Sequence, residues 1–268
     1  MNESKHVTVL FIADIFGKPG LKITEQLLPE LRERYQIDLV VANGENGVDG
    51  KGLTEKVVEQ YLELGIGVIT GGNHIWDNPG IYKVWHKDHR VLRPANYPVP
   101  NPGRGAIVVE IDRDVSIGVI SLQGRTFMYP IDCPFRTADA ILRHFHHKAK
   151  IVLVDFHAEA SAEKMALAWY LDGRVSAVIG THTHVQTADE RILPGGTAYI
   201  TDAGMTGPFN SVIGMKKEVA IKRFMRQIPI RFEPAESDVH FSGLLIKIDS
   251  QTGKAVSIER LFLPQPVN

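Results

Sequence analysis

The run Val7-Thr8-Val9-Leu10-Phe11-Ile12-Ala13-Asp14 reads as a short apolar strand that stops on a carboxylate. The same grammar recurs four more times. Residues 39–42 lead through Asn43-Gly44 to Glu45-Asn46, and residues 66–70 lead through Gly71-Gly72 to Asn73-His74. Residues 151–154 lead to His157, and residues 175–179 lead through Gly180-Thr181 to His182-Thr183-His184. In an open α/β sheet, ligands bind beyond the carboxyl ends of the strands. Strand ends carrying oxygen and imidazole donors therefore predict one shared metal site.

The segments between these runs set the fold class. Phe16-Gly17-Lys18-Pro19-Gly20 is a turn whose proline suits the first helical position. Leu21, Leu27, Leu28 and Leu31 then recur at roughly helical spacing. Thr54 is a candidate N-cap for a helix over 55–64, and Gly65 would stop it. This β-α-β-α-β opening implies parallel strands with right-handed crossovers. Residues 106–111 and 115–122 flank Asp112-Arg113-Asp114 and read as an antiparallel hairpin. A helix over 137–148 follows, and β-α-β alternation resumes from 150 to 179. A further helix is predicted over 219–226, and residues 241–249 and 255–262 alternate as a terminal hairpin. The expected class is α/β: two packed mixed β-sheets flanked by helices, in one domain spanning residues 1–268.

Composition narrows the function. Lys+Arg 30 against Asp+Glu 31 gives a net charge of −1, which argues against a broad nucleic-acid or membrane surface. Cys133 is the lone cysteine, so neither an internal disulfide nor a thiolate zinc cage can form, and a cytoplasmic location fits. No apolar run reaches the roughly 18 residues that a spanning helix needs, and no export signal is visible. The Gly-rich nucleotide loops and the Gly-x-Ser-x-Gly elbow are absent.

Asp14, Glu45, Asn46, Asn73, His157, His182 and His184 offer more donors than one tetrahedral zinc takes. They suit two ions sharing a carboxylate, about 3.5–4 Å apart. Two divalent ions less two carboxylates and a bridging hydroxide leave a centre near +1, roughly what an anionic phosphate ester would seek. Each residue has an ordinary reading when taken singly. Asp14 could be a turn or cap residue, Glu45-Asn46-Gly47 and Gly71-Gly72-Asn73 could be turns, and His157 could be a core histidine. His182 and His184 are harder to dismiss, because alternate residues of an extended segment face one side.

The order of Asp14, Gly44-Glu45-Asn46, Gly72-Asn73-His74, His157 and Gly180-Thr181-His182-Thr183-His184 resembles the calcineurin-like metallophosphoesterase superfamily, with its four-layer α/β/β/α sandwich. Asp14-Ile15-Phe16-Gly17, Gly44-Glu45-Asn46-Gly47 and Asp202-Ala203-Gly204-Met205-Thr206-Gly207-Pro208 resemble its bacterial YmdB-like branch, assigned to 2′,3′-cyclic nucleotide phosphodiesterases. Two positions depart from the wider superfamily. Phe16 stands where most members have histidine, and Glu45 stands where most have a bridging aspartate. The resemblance implies one metal on Asp14, Glu45, Asn46 and His184, and a second on Glu45, Asn73, His157 and His182. It also implies attack by a metal-bridging hydroxide, with His74 as the proton donor to the leaving oxygen. Asp77 is a candidate to orient His74. The oxygen-rich set favours manganese or iron, with zinc as the lesser candidate, in divalent or trivalent form.

The implied substrate is a small nucleotide phosphodiester, with RNA ends as a further candidate. The alternative is a metal-dependent phosphate-ligand binding or regulatory protein with little turnover; hydrolysis of another ester or amide is a third reading. Gly124-Arg125-Thr126-Phe127-Met128 offers a cation for phosphate and an aromatic ring for a base. Residues 204–208 read either as a rim loop facing phosphate or as a structural turn. His144, His146 and His147 read as a solvated helix face, and His86 and His89 as a charged loop. Trp76, Trp85 and Trp169 leave room for an aromatic interface in a homo-oligomer.

Overall fold

Every residue of β1 (His6–Ile12) beyond His6 is buried, because this strand is covered on both faces. Val7, Val9 and Phe11 point into a core between two sheets, while Leu10 and Ile12 point into a core under helices. Such two-sided burial is why the strand reads as an unbroken apolar run. The computed structural model describes residues 6–112, 115–231 and 233–264.

From β1 the chain passes through β2 (Asp14–Ile15), α1 (Gly17–Tyr35), β3 (Leu39–Asn43), α2 (Glu55–Glu63) and β4 (Val68–Thr70). A 3-10 turn (Asn73–Trp76) and α3 (Ile81–Lys87) follow. The second half of the architecture begins with β5 (Ala106–Asp112), β6 (Val115–Gln123), α4 (Pro134–Phe145) and β7 (Ile151–His157). It continues with α5 (Ser161–Leu171), β8 (Ala177–Thr181), β9 (Arg191–Ile192) and β10 (Ala198–Ile200). Last come β11 (Met205–Pro208), α6 (Lys217–Arg226), β12 (Val239–Asp249) and β13 (Ala255–Leu263).

The first sheet has the order β2-β11-β12-β1-β3-β4, with β13 pairing β12. The second has the order β5-β6-β7-β8-β10-β9. Both are mixed. β1, β3 and β4 run parallel, as do β6, β7, β8 and β10, while β12, β13, β5 and β9 pair antiparallel. Residues of α1, α2 and α3 cover one outer face, and those of α4 and α5 cover the other. The fold is thus two packed mixed sheets flanked by helices. No helix among the described residues is long and apolar enough to cross a membrane.

Local chemistry explains the main boundaries. Thr54 caps α2, its hydroxyl accepting from the Val57 N–H at 3.4 Å, and Gly65 takes φ +86° beyond the helix end. The 106–111/115–122 hairpin forms as β5 and β6, although Arg113 and Asp114 lie outside the described residues.

Several expectations need correction. α1 starts at Gly17, so Pro19 is its third residue rather than its first. Residues 205–208 form neither rim loop nor turn. They are buried strand β11, paired with Asp14–Ile15 on one side and β12 on the other. Gly20 permits this, since a Cβ there would sit 2.3 Å from the Thr206 carbonyl oxygen. His86 lies in helix α3, and α4 ends at Phe145, before His146 and His147. Trp76 and Trp85 pack on each other at 5.1 Å, with Trp85 buried, so of the three tryptophans only Trp169 is exposed.

The Thr54 cap sets a first test. Thr54→Ala is expected to lower stability by about 1 kcal/mol. In a denaturant titration the midpoint should fall with an unchanged slope.

Candidate metal centre

The carboxyl ends of β1, β3, β4, β7 and β8 meet where the two sheets adjoin, and there the strand-end donors converge. Glu45 follows β3 and is fully buried. Its Oε2 accepts from the backbone N–H of Gly72 at 2.6 Å and of His74 at 3.0 Å. Its Oε1 lies 2.8 Å from His157 Nε2, close enough for charge attraction although no aligned hydrogen bond forms. His182 Nδ1 approaches the same His157 Nε2 at 3.0 Å. Donor atoms of Glu45, His157 and His182 all lie within 4.8 Å of one another.

Asp14, Asn46 and His184 form the adjoining group. Asp14 Oδ2 accepts from the His182 N–H at 3.1 Å and lies 3.7 Å from His184 Nε2. Asn46 Nδ2 is 3.1 Å from that same nitrogen. A half-turn of the amide presents Oδ1 in the same direction. Asn73 opens the 3-10 turn, and its Oδ1 is buried with no hydrogen-bond partner. Asp14 Oδ1 is equally orphaned. Buried polar atoms are nearly always paired, so the two orphaned oxygens fit a site that takes a cation.

The tautomer of His157 sharpens the point. Thr181 Oγ1 donates to Asp155 Oδ1 at 2.7 Å, which leaves it to accept from His157 Nδ1, 3.0 Å away and closer than the Asn43 amide at 3.4 Å. The shorter contact assigns the ring proton to Nδ1, and in neutral His157 the lone pair of Nε2 then faces the Glu45 carboxylate. Two acceptors 2.8 Å apart repel unless a proton or a metal ion lies between them. Burial alone would lower the His157 pKa, but Glu45, Asp14 and Asp155 outweigh it and lift it to about 9. Burial likewise raises Glu45, yet the His157 charge carries it down to about 2. Burial and the His157 charge push His182 down to about 3. Burial also holds the Asp14 carboxyl well above the usual range.

Several contributors were not singled out in the sequence. Asp155 is buried on β7 two residues before His157, hence on the same strand face. It accepts from Asn43 at 2.9 Å, Thr70 at 2.5 Å and Thr181. That network fixes the His157 ring, as outer partners of metal-binding histidines do. Glu159 Oε2 lies 3.0 Å from His182 Nε2 and leaves Nδ1 to face the centre. Gly72 is required by contact, since a Cβ there would fall 2.0 Å from His157 Cδ2.

His182 and His184 converge by a different route from the one expected. They are not alternate residues of an extended segment, for both are left-handed, with φ of 102° and 64°. Non-glycine residues hold such angles only where their surroundings over-determine them. Here Asp202 Oδ2 accepts from both the N–H and the hydroxyl of Thr183, at 3.0 and 2.8 Å. The buried Lys164 ammonium neutralises it at 2.7 Å. His184 Nδ1 donates to the Ile213 carbonyl at 3.0 Å, which leaves Nε2 toward Asp14. Phe16 packs edge-on against His184 with ring centroids 5.9 Å apart.

His74 lies at the rim of a cleft of about 510 Å³ that is also lined by Glu45, Asn46, His182 and His184. Its Nδ1 is 2.9 Å from Asp77 Oδ2, so Asp77 does meet His74. A second cavity, lined in part by Phe127 and Tyr129, reaches Asn73 and His182; Arg125 does not line it.

The raised Asp14 pKa gives a signed test. The unfolded chain ionises Asp14 near its ordinary value of 3.8, whereas the metal-free fold holds the proton to higher pH. Its contribution is therefore most favourable below 3.8 and is lost as pH rises through the folded pKa. Asp14→Asn is expected to raise the Tm of metal-free protein at pH 7, with the gain shrinking toward pH 4. The same variant should respond less to Mn²⁺ than the wild type in thermal denaturation.

Comparison with known proteins agrees with this architecture. Residues 10–261 match the family described as YmdB-like protein. The 2′,3′-cyclic-nucleotide 2′-phosphodiesterase of Bacillus subtilis (strain 168) is 48% identical over 255 residues, covering 95% of this chain and 96% of that protein. A crystal structure of a hypothetical protein from Thermus thermophilus superposes with a TM-score of 0.91 at 43% identity, covering 97% and 100% of the two chains. A novel phosphatase from Mycoplasma pneumoniae gives a TM-score of 0.91 at 34% identity, covering 97% and 94%. With the family matched over nearly its whole length, the chain belongs to the YmdB-like proteins.

Proposed function

We propose that this protein is a metal-dependent phosphodiesterase acting on 2′,3′-cyclic nucleotides. The observation that carries the reading is the confrontation of Glu45 Oε1, His157 Nε2 and His182 Nδ1, flanked by the orphaned oxygens of Asp14 and Asn73. The Bacillus subtilis relative's activity supports the choice of substrate.

Asp14, Glu45, Asn46 and His184 would hold one ion, and Glu45, Asn73, His157 and His182 the other, with Glu45 shared. A set of carboxylate, amide and imidazole donors without thiolate favours manganese or iron over zinc. When bound, such ions supply a lowered pKa for coordinated water and positive charge for the phosphate oxygens.

The chain's own groups do the rest. The Asn73 amide, in the wall of the site, would hold a non-bridging phosphate oxygen. As water adds to phosphorus and releases a proton to solvent, the P–O2′ bond breaks and the 2′ oxygen leaves as a strongly basic alkoxide. His74 would give that oxygen its proton from Nε2, because Nδ1 is engaged by Asp77. The products are a nucleoside 3′-phosphate and a free 2′-hydroxyl. His74 is partly exposed at the cleft rim, so it can be reprotonated from solvent.

Turnover of adenosine 2′,3′-cyclic phosphate in Mn²⁺ or Fe²⁺ tests the proposal. Tight ligand binding without product from any phosphodiester would overturn it. Removal of metal by a chelator is expected to abolish turnover, and readdition to restore it. His74→Ala should lose about 10²–10⁴ in kcat on the cyclic nucleotide. It should lose far less on bis-p-nitrophenyl phosphate, whose leaving group needs no proton. Equal losses on both substrates would remove His74 from the acid role.

A further inference from the structure

Residues 125–130 carry two large aromatic side chains that the fold does not bury. Phe127 is 88% exposed and Tyr129 75% exposed. Both line a cavity of about 380 Å³ whose wall also contains Asn73 and His182. An exposed apolar cluster that abuts a reactive centre is the usual mark of a ligand site.

The backbone beneath these rings is anchored. Glu163, on α5, accepts from the N–H of Arg125 at 3.1 Å and of Thr126 at 3.0 Å. The Met128 N–H closes a turn onto the Arg125 carbonyl at 3.3 Å. Phe127 itself adopts φ +61°, a left-handed conformation rare for an aromatic residue. The segment is thus held in a shape that shows Phe127 to solvent.

We infer that this cavity is the nucleobase subsite, with Phe127 and Tyr129 as its stacking surfaces and Asn73 joining it to the phosphate site. The inference rests on the phosphodiesterase reading for the phosphate and adds the part of the substrate that reading leaves unplaced. Stacking uses the π-face that every base possesses, so it tolerates sequence. Apart from Asn73 and His182, which face the metal centre, the cavity is lined by Phe127, Met128, Tyr129 and Pro130. Among the described residues of the 125–130 segment, none with a charged side chain lines it to read a base edge. The subsite therefore accepts all four bases, with purines favoured by their larger stacking area.

The test compares two five-membered cyclic diesters: adenosine 2′,3′-cyclic phosphate and glycerol 1,2-cyclic phosphate, which has no base. Phe127→Ala and Tyr129→Ala are each expected to lower the ratio of kcat/KM for the nucleotide to that for the glycerol ester. The expected drop is roughly 5- to 150-fold, the range for stacking one base, and it should lie mainly in KM. Phe127→Trp should restore the ratio. Calorimetric binding of adenosine 3′-phosphate to Mn²⁺-loaded protein should weaken in the alanine variants by a similar factor. An unchanged ratio and unchanged binding would overturn the inference. So would a wild type that cleaves the glycerol ester and not the nucleotide. If the wild type cleaves neither ester, the phosphodiesterase reading falls, and the binding comparison still decides the subsite.

Discussion

The structure turns on a surplus of buried lone pairs at the junction of two sheets. Asp14, Glu45 and Asp155 are all buried, and the imidazoles of His157, His182 and His184 aim ring nitrogens into the same space. Left alone, such a cluster would be expelled or protonated, because desolvating unpaired charge costs several kcal/mol or more per ion. The Asp155–Thr181–His157 chain removes one answer by fixing a proton on Nδ1, away from Glu45. What remains is a demand for positive charge beside Glu45. The raised pKa of His157 is the protein's own partial reply to it.

The surrounding packing exists to keep that demand unrelieved. Gly72 lets the backbone pass against the His157 ring and present its N–H to Glu45. The Lys164–Asp202 pair holds Thr183, which in turn holds two histidines in left-handed conformations. A buried ion pair of this kind is weak support for stability as such, though removing one partner costs about 3–5 kcal/mol. Its effect here is geometric: it fixes a loop that no extended or helical backbone would supply.

The strand-end donors were legible because each follows an apolar run, and a sheet's topology carries such ends to one edge. Their partners were less so. Thr70, Thr181 and Asp155 sit inside or beside buried strands, where threonine is an ordinary β residue and one aspartate carries no spacing signal. Strand β11 was illegible for a different reason. Met205-Thr206-Gly207-Pro208 has turn composition, and only its tertiary neighbours Asp14–Ile15 and β12 make it a strand. Helix α3 is short and follows Asn78-Pro79-Gly80, which masks its periodicity. Alternation in β13 of the terminal hairpin and leucine spacing in α1 were legible, since a face turned away from the core leaves its polar residues in the sequence.

β1 lies between β3 and β12, so its register is completed by residues 243–249. Synthesis delivers these neighbours far apart in time, because a ribosome adds roughly 5–20 residues per second. A nascent chain can pair β1 with β3 early, but one edge of that strand stays bare until residues 243–249 have emerged. A chain interrupted before residue 243 would thus carry every one of the seven candidate ligands and still lack the stretch of β12 that joins β1 to β11 and β2. Competence to capture cations waits on β12, whichever donors have already been made.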